Sequence, residues 1–203
     1  WPITGWASEG GHGVNPVEDG RAPFADNGRI PNGTHVAFLQ AAGSMNQTVT
    51  GLTPGGQYYV HYQENARGGA TLPAVEVQVD GATVVPAHLV TQVGGSNPYH
   101  SMGSDVFTAG SDSVLLAFIK TQPQGGDCTA LIDNVAILPV PAGTAPSIST
   151  QPANVSAYVG EPASFRVIAQ GSLPMTYQWQ LNGTPIDGAT GPGYNIDAIR
   201  LAD

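Results

Sequence analysis

The chain has 203 residues, room for two modest domains, with 41% hydrophobic residues, 27 glycines and 17 prolines. Fifteen acidic residues face six basic ones, and Lys120 is the only lysine. At net charge −9 the chain offers no basic patch to nucleic acid or to an anionic membrane, so neither is expected as a partner. One cysteine permits no intrachain disulfide.

Strand-like runs separated by turn signals fill the first two thirds of the chain. They are THVAFLQ (34–40), SMNQTVTGL (44–52), GQYYVHYQENA (56–66), AVEVQVDG (74–81), SVLLAFIK (113–120) and TALIDNVAIL (129–138). In the fourth run Val75, Val77 and Val79 alternate with Glu76, Gln78 and Asp80, the period of a strand with one dry and one wet face. The third run sets Tyr58, Val60 and Tyr62 on one face and Tyr59 and His61 on the other. No run of ten residues keeps an apolar 3.6-residue period, and none approaches the roughly 18 apolar residues of a membrane-spanning helix. An all-β sandwich or jelly roll is predicted, without membrane insertion.

PVPAGTAPS carries three prolines and reads as a stiff linker over 139–147, between a domain at 1–138 and a second at 148–203. In the second domain ASFRVIAQG (163–171) and MTYQWQLNG (175–183) alternate in and out, and the Asn182–Gly183 pair predicts a hairpin. The chain begins at Trp1 without a signal peptide and is expected to be a processed or excised piece.

QPANVSAYVGEPASF and YQWQLNGTPI resemble the bacterial immunoglobulin-like domains. The resemblance implies that Trp179 packs on aliphatic groups, since Val167 stands where disulfide-bonded relatives have a cysteine, and that the domain is incomplete at its C-terminus. PITGW (2–6), DGRAPFADNGRIPNGTHVAFLQ (19–40), the Gln-Thr strand with its LTPG turn, VEVQVDG and LIDNVAI together resemble the galactose-binding-like β-sandwiches, a group with many carbohydrate-binding modules. This second resemblance implies that the chain lacks the family's first strand. It also implies that Asp133 is one ligand of a structural calcium ion whose other ligands are expected on that strand.

No histidine lies beside Cys128 in sequence, so a buried, inert thiol is expected. His12, His35, His61, His88 and His100 lack the short spacings of zinc motifs. Glu9, Glu18, Asp19, Asp26, Glu64 and Asp105 supply carboxylates without a motif that selects a glycosidase pair. No enzymatic activity is therefore expected. Sugar binding needs aromatic faces with nearby amides and charges. The loop GGSNPYH (94–100) offers Asn97, Tyr99 and His100, Arg67 follows a Tyr-rich strand, and Trp6 lies in a third loop region. In the closing run Leu131, Asp133, Val135 and Ile137 are expected on one face, Ile132, Asn134, Ala136 and Leu138 on the other.

The expected function is a non-catalytic, extracellular or cell-surface glycan- or polysaccharide-binding module with an immunoglobulin-like spacer, joined to other domains of the same bacterial polypeptide. The alternative is a structural or adhesive building block that self-assembles by strand or sandwich contacts.

Overall fold

The computed structural model describes residues 5–16, 27–67, 71–122, 128–160, 163–196 and 198–200, and no helix occurs among them. Glu18, Asp19 and Asp26 lie outside the described residues. The chain divides into two compact units, Trp1–Pro139 and Val140–Asp203.

Among the described residues the first unit holds thirteen strands. They are β1 Ala7–Glu9, β2 His12–Pro16, β3 Asn27–Arg29, β4 His35–Leu39, β5 Gly43–Thr50, β6 Gln57–Ala66, β7 Ala74–Val79, β8 Ala82–Leu89, β9 Gly95–Pro98, β10 His100–Gly103, β11 Phe107–Thr108, β12 Ser113–Gln122 and β13 Ala130–Pro139. One antiparallel sheet runs β1-β5-β12-β7-β8; the other runs β10-β6-β13-β4-β2, with β11 also on β6. Their inner faces share one core. Met45, Val77, Val85, Leu116 and Phe118 come from the first sheet, and Leu39, Val60, Tyr62 and Ile132 from the second. The rings of Tyr62 and Phe118 meet edge to face at 5.1 Å across the layers. The unit is a β-sandwich.

Period-two patterning explains this packing. Val75, Val77 and Val79 are buried, while Glu76 and Gln78 are half-exposed. Each such valine contributes about 1.5–3 kcal/mol by leaving water. Asp80 (φ 50°) and Gly81 (φ 78°) then turn the chain back into β8, a conformation Asp-Gly adopts readily. On β6 the face of Tyr58, Val60 and Tyr62 enters the core, leaving Tyr59 and His61 outside.

β13 departs from simple alternation. Its register against β6 slips between Asp133 and Ala136, and Asn134 takes φ 50°. This bulge resets the phase, because one extra residue shifts every later side chain to the opposite face. Ile132, Val135 and Ile137 therefore all pack against the main core, whereas Leu131 joins Val36 and Tyr99 in a second cluster. The unbroken alternation expected for 131–138 is corrected accordingly.

The second unit holds β14 Ser147–Thr150, β15 Ala163–Arg166, β16 Ile168–Gln170, β17 Gln180–Leu181, β18 Thr184–Pro185 and β19 Gly193–Ile196, paired as β14-β16, β15-β19 and β17-β18. Asn182 (φ 51°) and Gly183 (φ 83°) form the tight turn between β17 and β18. Trp179 lies 6.4 Å from Phe165 and 6.2 Å from Tyr194, and its indole N–H donates to the Gly191 carbonyl at 3.0 Å. Two aromatic rings thus neighbour the indole. The reason is that β19 pairs β15 and carries Tyr194 opposite Phe165.

Candidate functional site

A cleft of about 730 Å³ opens in the first unit where β4 and β13 part. β13 pairs β4 only over Ala130–Ile132, opposite Leu39–Ala37. Beyond Ile132 its ladder continues on the β6 side alone among the described residues. The floor is apolar: Met45 and Val49 from β5, Leu116 from β12, Ala37 from β4, and Ile132, Val135 and Ile137 from β13. Polar side chains rim it, namely Gln47, His35, Asn32, Asp133 and Asn134.

Trp6 closes one wall. Its ring sits 6.1 Å from Phe118, tilted by 48°, and stays partly exposed. Gly5 makes this possible: with φ +82° it brings the backbone so near Gln47 that a Cβ would lie 3.0 Å from the amide nitrogen.

Asp133 also lines the cleft. Its Oδ2 accepts from the Asn32 backbone N–H at 3.1 Å, and its Oδ1 from the Asn134 N–H at 2.7 Å. Partial burial raises its pKa above 3.8, and the two hydrogen bonds partly oppose the rise. The Asn134 side chain donates to Gln63 Oε1 at 3.0 Å, tying the cleft to the outer face of β6.

Trp6 and Asp133 thus share the cleft, whereas the other sequence candidates lie elsewhere. Tyr99 is 5% exposed and packed with Val36 and Leu131, so it presents no open ring face. Burial pushes its phenol up to about 12, against a hydrogen bond from Asn65. The exposure expected of this loop tyrosine is corrected: the apolar outer patch of Val36 and Leu131 needs a cover, and Tyr99 supplies it. His100 is exposed and bonds Thr91 Oγ1 at 2.9 Å. Asn97 spends its amide on the Val93 carbonyl at 2.9 Å. Arg67, half-buried after β6, donates its backbone N–H to Thr129.

Cys128 is buried at 1%. Among the described residues no group of three or more His, Cys, Asp or Glu side chains converges on a point. Asp133 has both oxygens engaged by backbone donors. A calcium ion needs six to eight oxygen ligands, and among the described residues Asp133 is the carboxylate that lines this cleft. The sequence reading missed the pair of Glu64, 3% exposed, with His88 Nε2 at 2.8 Å. The two residues are 24 apart in sequence and come from different sheets. No local spacing could have joined them. It missed Gln47, His35 and Asn32 for the same reason, whereas Asn134, next to Asp133 in sequence, was expected on the opposite face of the strand.

A family profile described as "Protein of unknown function (DUF642)" matches residues 2–138. No curated protein matches the chain. Solved structures resemble it weakly. The xylan-binding CBM22-1 domain of Paenibacillus barcinonensis Xyn10C is 16% identical, covers 68% of this chain and 88% of its own, and has a TM-score of 0.47. A family 35 carbohydrate-binding module from Clostridium thermocellum is 14% identical over 63% of this chain and 90% of its own, at TM-score 0.42. The C-terminal domain of EclA, described as a sugar-binding protein, is 20% identical over 54% and 81%, at 0.46. Likeness at this level carries no ligand assignment.

Proposed function

The chain belongs to the DUF642 family, and from that premise, which brings no activity with it, we propose that its first unit is a non-catalytic glycan-binding module of an extracellular or cell-surface protein, with the second unit as a spacer. One observation carries the reading. A single cleft sets the Trp6 ring and an apolar floor against the hydrogen-bonding side chains of Asp133, Asn134, Asn32, His35 and Gln47. Sugars present the matching chemistry, apolar C–H faces for stacking and hydroxyls for amides and carboxylates. A glycan array probed with the full chain tests it. Binding that Trp6→Ala weakens is expected; no binding, with or without calcium, overturns it.

A second reading is favoured by the bare edge of β13. From Asp133 to Pro139 one side of the strand has no ladder partner among the described residues, beside apolar Val135 and Ile137. A strand from a second copy would extend the sheet there by backbone hydrogen bonds. Light scattering separates the two: a monomer that binds glycan keeps the first reading, and a concentration-dependent dimer without glycan binding selects the second.

A further inference from the structure

We infer that the cleft is only one end of the binding surface, and that an uncharged, linear glycan chain leaves it across the outer face of β6 along Gln63, His61 and Tyr59. This rests on the glycan reading of the cleft and extends it by a second subsite.

The row follows from register. Gln63, His61 and Tyr59 lie two residues apart on β6, on the face opposite the core residues Val60 and Tyr62. Spacing of about 6.5 Å between such neighbours gives a row of about 13 Å, long enough for more than one sugar ring. All three side chains are half-exposed. Beside His61 the flanking strands carry only small residues, Ala136 on β13 and Gly103 on β10. A ring can therefore approach His61 without meeting a bulky neighbour on either strand. Tyr59 lies opposite Leu138, which is 37% exposed, and the two form an apolar end to the row.

The row is continuous with the cleft. Asn134 and Ala136 both line the cleft. Asn134 also donates to Gln63, and Ala136 stands opposite His61. The bulge at Asn134 is the hinge between the two surfaces, because it turns Val135 and Ile137 into the core while Ala136 and Leu138 keep the outer face.

Charge selects the ligand class. The row has no lysine, arginine or carboxylate among its named members, and Asp133 and His35 are the only ionisable side chains among the described residues that line the cleft. A chain bearing uronate or sulfate groups would meet the Asp133 carboxylate and a protein of net charge −9, with no lysine or arginine among the described residues that line the cleft to receive it.

The test is calorimetric titration of the full chain with cello-, xylo-, manno- and galacto-oligosaccharides from dimer to hexamer, and with oligogalacturonides of the same lengths. Affinity for one neutral series is expected to rise with length, and Tyr59→Ala or His61→Ala is expected to remove about three- to tenfold of the long-chain affinity, the worth of a stacked ring, while dimer binding stays intact. Retained dimer binding also shows that the variants are folded. A neutral series whose affinity is flat in length, or whose rise survives both variants, overturns the second subsite and leaves the cleft standing. Oligogalacturonides that bind as well as the neutral chains overturn the ligand class. No binding by any series overturns the cleft reading and this extension together.

Discussion

The outer face of the second sheet has two halves that fold solved differently. At one half, Val36, Phe38 and Leu131 would be bare apolar surface, and the segment from Val93 to Tyr99 covers them. Asn65, fully buried, accepts from the Val93 N–H at 2.9 Å and hydrogen-bonds the Tyr99 phenol, so one amide pins both ends of the cover. At the other half Tyr59, His61, Gln63, Asn134 and Ala136 lie half-buried or exposed. The difference teaches that residue type on a strand's outer face decides which part of a sandwich is roofed. Apolar side chains recruit cover, and amphipathic ones tolerate water.

The largest expected effect comes from removing the roof. Tyr99→Ala should cost about 3–5 kcal/mol in chemical denaturation, as large-to-small changes of buried rings do. A loss near zero would mean that the cover is not part of the core. Asn65→Ala should cost about 1–3 kcal/mol, because it strands the Val93 N–H and the buried phenol.

Titration separates the halves next. The Tyr99 phenolate should appear in ultraviolet difference spectra only near pH 12. Its folded pKa lies above its ordinary value of 10.0, so the folded state holds the proton longer than the unfolded chain does. Stability should therefore fall as pH rises from about 10 towards 12. Asp133 follows the same sign at acid pH. Its carboxyl is raised above 3.8 by partial burial, so its contribution is fully present below that value and lost as pH rises through the folded pKa. Asp133→Asn should flatten that part of the pH–stability curve, and an unchanged curve would refute the assignment. Smallest of all, Leu138→Ala on the bare half should shift stability by less than about 0.5 kcal/mol, as exposed sites do. A larger loss would show that this half is covered after all.

The units differ in a similar way. In the first, two large sheets share a core in which Val60, Val75, Val77 and Phe118 are fully buried. In the second, paired strands are short, and Ile148, Tyr158, Val159 and Leu181 remain exposed at 48–81%.

By itself the sequence determined β4, β5, β6, β7, β12 and β13, the in–out phase of β6 and β7, the Asp80–Gly81 and Asn182–Gly183 turns, and the burial of Cys128. Each of these is written in neighbours one or two residues apart, where the pleat and turn sterics act. Trp6 and Asp133 were also singled out there, the first as an aromatic in a loop region for sugar binding and the second as a calcium ligand in an apolar run. Tertiary structure alone decided that these two share a cleft with Gln47, His35, Asn32 and Asn134, and that Tyr99 is a lid rather than a platform. The bulge at Asn134 belongs to the same class, since a register slip exists only between paired strands. Such features depend on which strands lie side by side, and a one-residue shift at Asn134 was enough to exchange core and surface for the rest of β13.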